Sequence, residues 1–309
     1  MSYFLKGASM KIIFILLLTA LSLLAAPIKI AFQDRVVDAL FIIALEQKLF
    51  EKEGLEIEAK RFTNGNATSE ALIFGDADFA TMGDTAALLA LDKYCPNIKL
   101  FTPLGGGEKR HSIVVSKEST LQSLKDLEGK KIGIKKGTST HGGFLLKTSK
   151  EGVMLEKNLI DLDPSLMASA LMAKELDAIV ASEPTPSILV EKGVGKRVAY
   201  LDGVGNSYPL LLMAKERSLR NHAEALPKLI RALRHAATFI KNEPDQSAQR
   251  VANVSGLSLK AAKESMAHHS YAVGFDPLSQ ESLVMMERFL RESEKLKQTR
   301  SLDVCSFKE

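Results

Sequence analysis

Apolar residues recur in two rhythms between residues 28 and 102. Ile28, Ile30 and Phe32 occupy every second position and predict a strand, after which residues 36–50 show helical spacing closed by Glu53 and Gly54. Alternation returns at 55–59. Residues 67–74 read as a helix ended by Gly75, 78–80 as a short strand, 85–91 as a helix capped by Asp84, and 98–102 as the next strand. Short strands separated by helices predict a mostly parallel sheet with helices on both faces.

Gly105, Gly106 and Gly107 interrupt this alternation, and a second run of it starts at residues 112–116. It predicts helices at 121–127, 141–150, 165–174 and 185–192, and strands at 131–135, 159–162, 178–181 and 197–201. Residues 203–209 and the apolar strand 210–214 read as a return crossing. From Leu219 onward the pattern is helical, including 223–241 and 280–297, with Pro244 and Pro277 near helix starts. The expected organisation is therefore an α/β clamshell. Residues 27–111 and 211–309 form one discontinuous lobe and 112–210 the other, with hinges near 103–112 and 203–212 and a cleft between the lobes.

Residues 1–26 carry Lys6 and Lys11, no acid, and the apolar run 12–24 before Ala25 and Ala26. That is the pattern of a cleaved export signal, too short to span a bilayer that needs about 20 apolar residues. It implies a periplasmic location. The formal net charge of +4, with no concentrated basic face, argues against nucleic acid as a partner. Cys95 and Cys305 are the only cysteines; a disulfide and two free thiols are both compatible with the sequence.

Four strand-to-helix turns supply the candidate chemistry, because such turns line a cleft between α/β lobes. The first holds Gln33 and Arg35, the second Met82, Gly83, Asp84 and Thr85, the third Gly137, Thr138, Ser139, Thr140 and His141, and the fourth Glu183 before Pro184. The third is the centre of the reading. Gly137 permits a sharp exit from the strand, and the hydroxyls of Thr138, Ser139 and Thr140 stand at a helix start whose unpaired N–H groups suit an anion. Arg35 is suited to a carboxylate or sulfonate, and Glu183, an acceptor when ionised, to a ligand amine. Replacing Ser139 and Thr140 by alanine is expected to weaken binding strongly with little change in stability.

Catalysis and metal binding find less support. Ser139 with His141 is the one tempting nucleophile–base pair, and it lacks a third orienting group. His111, His141, His268 and His269 show no two-His-plus-carboxylate spacing, and neither glycine-rich stretch continues into a nucleotide-binding motif. No cofactor, metal or ATP site is expected.

Several stretches, in this order and spacing, carry a family resemblance: residues 49–57, 70–79, Met82 to Asp84, residues 124–132, Gly137 to His141, and 176–179 followed by Glu183 and Pro184. Together they resemble the substrate-binding proteins of ABC importers for nitrate, sulfonates and taurine, and the related pyrimidine-precursor binders. The resemblance covers nearly the whole chain beyond residue 26. It implies the two-lobed type II periplasmic-binding-protein fold, and a non-enzymatic monomer that captures a small anionic solute. It further implies that the second and third turns contact that solute from opposing lobes, with Glu183 bordering the cleft, and that the protein delivers it to an ABC permease with a separate ATPase subunit. Many sulfonate-type relatives place an aromatic residue, often tryptophan, before the Glu-Pro pair; Ser182 stands there in a chain without tryptophan. The alternatives are a binder of a pyrimidine or thiamine precursor, and a biosynthetic enzyme of the same fold acting on a pyrimidine or menaquinone precursor.

Overall fold

The computed structural model describes residues 26–298 and 302–307, so the expected export signal lies outside them but for Ala26. The first run of alternation folds as β1 (Ile28–Gln33), α1 (Ala39–Glu46), α2 (Leu49–Lys52), β2 (Ile57–Phe62), α3 (Gly65–Phe74), β3 (Phe79–Gly83), α4 (Asp84–Tyr94) and β4 (Ile98–Pro103). The chain then crosses to β5 (His111–Ser116), β6 (Ile132–Ile134), α5 (Ser139–Glu151), β7 (Leu159–Asp161), α6 (Pro164–Met172), β8 (Ala178–Ser182), α7 (Thr185–Glu191) and β9 (Gly195–Tyr200). It returns through β10 (Leu210–Lys215) to a helical tail: α8 (Glu216–Asn221), α9 (Leu226–Asn242), α10 (Pro244–Ser255), α11 (Leu259–Ala267), α12 (Pro277–Glu292) and the short α13 (Leu302–Cys305).

Two five-stranded sheets result, ordered β2-β1-β3-β10-β4 and β7-β6-β8-β5-β9. Within each, the strands run the same way except one. β10 is antiparallel to β3 and β4 in the first sheet, and β5 is antiparallel to β8 and β9 in the second. Both exceptions are the strand that arrives from the other lobe. Entering from the cleft side, such a strand must run away from the cleft, whereas its neighbours run toward it.

Period-two alternation sorts each sheet's side chains into two cores. In the first sheet Ile30, Phe32 and Phe79 face α1 and α9, while Ala31, Ala80 and Met82 face α3 and α4. In the second, Ile113, Ile132 and Val180 pack under α5, and Val114, Ile179 and Ala181 under α6 and α7. The α12 helix belongs to both lobes, since Leu283 joins a core of the first and Met286 and Leu290 a core of the second.

Local departures from the predicted elements have local causes. The helix expected at 121–127 is only a 3₁₀ turn at Lys125–Leu127, preceded by a turn in which side chains hold the backbone N–H groups. Ser119 Oγ accepts from Leu121 N, and Asp126 Oδ2 from Gln122 N and Ser123 N. The helix expected over 36–50 breaks at Lys48, whose φ of 54° is left-handed. Cys95 and Cys305 are joined in a disulfide with Cα atoms 5.8 Å apart, which ties the end of α4 to the tail beside β4.

Candidate functional site

The cleft ends of β1, β3, β6 and β8 meet around a cavity of about 50 Å³ lined by Gln33, Arg35, Gly83, Arg110, His111, Thr138, Ser139, Thr140, Ser182 and His269 among others. The lobes touch directly at its rim. Arg35 Nη2 donates to the carbonyl oxygens of Ser182 and Glu183, each at 3.0 Å, and Asn66 Nδ2 to Lys136 O at 2.9 Å. Burial lowers the Arg35 guanidinium to about 10, which leaves it charged at neutral pH. Its Nη2 bonds go to protein oxygens across the cleft, the two carbonyls and the Thr185 hydroxyl.

Two helix starts face each other here. Gly83 caps α4 in an extended conformation, so Asp84 is the first helical residue rather than the expected cap. Its Oδ1 accepts from Thr85 N at 2.6 Å and from Ser139 Oγ at 2.5 Å, and its Oδ2 from Asn206 Nδ2 at 2.9 Å. On the opposite side Thr138 caps α5, accepting from His141 N. The helices approach so closely that a Cβ on Gly83 would stand 2.6 Å from Ser139 Cβ, and one on Gly142 would stand 2.2 Å from Thr85 Oγ1.

Arg110 is the cavity's second guanidinium, only 3 % exposed. It lies on the first crossing, between the glycines and β5. Its Nε donates to His111 Nε2 at 3.1 Å and its Nη2 to Ser139 Oγ at 3.4 Å, while Nη1 is buried without a hydrogen-bond partner. Burial lowers its proton affinity, opposed by the charges of Asp84 and Asp38. Because Arg110 Nε can only donate, His111 Nε2 must be the acceptor, so the neutral ring carries its proton on Nδ1 and donates to Thr140 Oγ1 at 3.0 Å. His111 is held neutral: burial, then the neighbouring Arg110, press it well below the usual imidazole range. The Thr140 hydroxyl proton therefore remains free to donate.

The expected site residues separate into two groups. Gln33, Arg35, Gly83, Thr138, Ser139 and Thr140 line the cavity; Met82, Asp84, Thr85, Gly137, His141 and Glu183 are outside its lining. The Met82 side chain belongs to a core of the first lobe. Asp84 and Thr85 form the seam between the helix starts. Gly137 has a φ of +73° and lies against Asn66 of the other lobe. His141 Nδ1 accepts from Gly137 N at 3.2 Å, so His141 and Ser139, whose hydroxyl donates to Asp84, are not joined as nucleophile and base.

Glu183 is buried in a structural cluster rather than bordering the cavity. Its Oε1 accepts from Arg197 Nη2 at 2.9 Å and pairs with His268 Nδ1 at 3.1 Å; its Oε2 accepts from Ser187 N and Ser265 Oγ. Burial alone would raise its pKa, but the hydrogen bonds from His268 and Ser187 and the charge of Arg197 outweigh it and bring Glu183 to about 2. Sequence reasoning missed Arg110 as a site residue, and weighed His111 and His269 only as metal ligands. The available signal was the Arg110-His111 pair directly after a glycine-rich crossing.

Comparison with known proteins bears on this fold. The family model described as NMT1/THI5 like matches residues 37–247. A Brucella abortus protein described as a binding protein is 29% identical over 250 residues, covering 80% of this chain and 75% of that one. A Bacillus subtilis protein described as binding aliphatic sulfonates is 25% identical over 215 residues, covering 69% and 64%. Among solved structures, the alkanesulfonate-binding protein SsuA of Xanthomonas axonopodis pv. citri, bound to MOPS, superposes with a TM-score of 0.83 at 22% identity, covering 91% of this chain and 98% of that one. The periplasmic aliphatic sulphonate-binding protein SsuA of Escherichia coli superposes with a TM-score of 0.78 at 17% identity, covering 91% and 92%. The fold is that of the two-lobed periplasmic binding proteins, as the sequence led us to expect. Among the described residues, no helix is long and apolar enough to cross a membrane.

Proposed function

The chain belongs to the NMT1/THI5-like family, and from that membership and the chemistry of the cleft we propose that it is the periplasmic solute receptor of an ABC importer, binding a compact oxyanion of the sulfonate or nitrate type. The observation that carries this reading is Arg110 Nη1, a cationic donor buried without a partner in a side chain that lines the interlobe cavity. A buried charged donor left unpaired is costly, and an anionic oxygen is the partner that offsets the cost best. The free hydroxyl proton of Thr140 and the positive end of α5 add to the same field. Two guanidinium groups, Arg35 and Arg110, stand against Asp84 and the partly neutral Asp38, which favours a monoanion.

The cavity admits only a few heavy atoms, since one water needs about 10–15 Å³ of comparable space. Larger solutes require a wider separation of the lobes. We infer that the lobes part about the crossings near 103–112 and 203–212, and that a solute touching both lobes favours closure. The closed form is then presented to a membrane permease served by a separate ATPase.

The test is a thermal-shift screen of residues 27–309 against short sulfonates, nitrate, phosphonates, amino acids and pyrimidines, with Arg110→Met alongside. A ligand present at 100 times its Kd adds about 2.7 kcal/mol of stability. A compact oxyanion is expected to raise the melting temperature of the wild type and not of the variant. A response confined to pyrimidines, or an anion response unchanged in Arg110→Met, would overturn the reading.

A further inference from the structure

We propose that the solute carries, beside its anionic oxygens, an N–H or O–H group that donates to Nε2 of His269, making His269 a ligand-contact residue that selects among anions. The inference rests on the receptor reading above and deepens it. His269 follows α11, and its ring lines the same cavity as Arg110 and Thr140. Nδ1 of that ring lies 2.8 Å from the carbonyl oxygen of Ser265. A carbonyl cannot donate, so Nδ1 bears the proton, and in the neutral ring Nε2 is an acceptor. That atom is buried and has no hydrogen-bond partner in the protein.

The ring is fixed in this role. It stacks on Tyr271, with centroids 5.8 Å apart and planes 11° from parallel, and Tyr271 in turn donates its hydroxyl to Val36 O at 2.8 Å. Protonation at Nε2 would turn the acceptor into a donor. It is opposed first by burial and then by the charge of Arg110, which together bring His269 down to about 3. The cavity therefore presents an asymmetric set of groups, with donors at Arg110 Nη1 and the Thr140 hydroxyl and an acceptor at His269 Nε2. An oxyanion bearing only oxygens and alkyl carbon satisfies the donors and leaves the acceptor unpaired; one bearing an amino or hydroxyl group satisfies all three. A site built to pair a polar group discriminates strongly against an analogue lacking it, because its own buried atom is then stranded.

Matched anions of equal charge and nearly equal shape isolate the effect. Sulfamate and methanesulfonate differ by an amino group in place of methyl, as do aminomethanesulfonate and ethanesulfonate. Calorimetric titration of the wild type is expected to give at least tenfold tighter binding for the amino member of a pair. His269→Phe removes the acceptor and is expected to bring the ratio below about threefold, and His269→Gln, which offers an amide oxygen, to restore part of it. Equal affinities in the wild type, or a ratio intact in His269→Phe, would overturn this inference alone. Should the phenylalanine variant not fold, the wild-type ratio and the glutamine variant still decide it. Binding of none of the four anions by the wild type would overturn the receptor reading and this inference together.

Discussion

Ser139 Oγ lies 2.5 Å from Asp84 Oδ1, joining the first turns of two helices that come from opposite lobes. Two helix N-termini brought end to end repel through their dipoles, and a carboxylate between them offsets that repulsion. Asp84 provides it, with Asn206 from the second crossing holding its other oxygen.

Because Ser139 and Thr140 are tied to Asp84 and His111, their joint replacement by alanine should do more than weaken binding. Each lost hydrogen bond leaves a buried partner less satisfied, at about 1–3 kcal/mol. We expect the double variant to lose at least tenfold in anion affinity and also to unfold at lower urea. This revises the expectation that stability would change little. A double variant with wild-type affinity would remove this turn from the site.

Gly83 and Gly142 allow the seam to close. A Cβ at either position meets side-chain atoms of the other lobe, Ser139 and Thr85 respectively, at less than 3 Å. Gly83→Ala and Gly142→Ala are thus expected to hold the lobes apart. Anion affinity should fall at least tenfold and the radius of gyration on ligand addition should contract less than in the wild type, as read by calorimetry and small-angle scattering. Contraction and affinity equal to wild type would show that the seam is not needed for closure.

Glu183 tests whether a buried carboxylate near the cleft serves the ligand or the fold. Glu183→Ala deprives His268, Ser187 N and Ser265 of their carboxylate and leaves Arg197 with only Glu264 and Ser187, and removing one member of a buried pair costs at most about 3–5 kcal/mol. Urea titration should show that loss, while the Kd of the folded variant for anion stays within a few-fold. The reverse outcome, unchanged stability with lost affinity, would return Glu183 to the cavity.

Asp38 gives a pH signature. It is fully buried, and desolvation raises it to about 7. The native state therefore holds a proton there between pH 4 and 7 that the unfolded chain releases, so this group's contribution is present at low pH and lost as pH rises through 7. His111, His141 and His269 act oppositely. Burial depresses all three, the last two to about 4 and about 3, so their contribution is present above the usual histidine range and lost as pH falls below it. In Asp38→Asn, which can keep the acceptor for Gln33 N and Thr81 Oγ1, only the histidine part remains. The stability of the variant relative to wild type should rise from pH 5 to pH 7 by about 1.4 kcal/mol per pH unit, then level off. A difference flat across pH 5–8 would place the Asp38 titration elsewhere.

How much was legible in the sequence follows from the range of the interactions involved. Ile30 beside Ala31, and Phe79 beside Ala80, announce a strand with two faces, and both faces are filled as expected. The Gly137–Thr140 turn was legible for the same local reason. Arg110 and His269 were not, because they reach the cavity from a crossing and from the tail, segments whose meeting depends on the whole topology. The Gly105–Gly107 segment lies against residues 207–209 and 268–272 so tightly that a Cβ on Gly105 or Gly107 would be 2.0 Å from a carbonyl oxygen. Glu183 was assigned to the ligand because two of its four partners, Ser265 and His268, are more than 80 positions away, and Arg197 reaches it only through the pairing of the second sheet.

The bond between Cys95 and Cys305 spans 210 positions and is anchored at both ends beside the first sheet. Every residue of the second sheet, and both strands that link the sheets, lies inside that covalent ring. A protease that nicks any exposed loop there would leave two polypeptides still tethered, migrating as one species until a reductant is added.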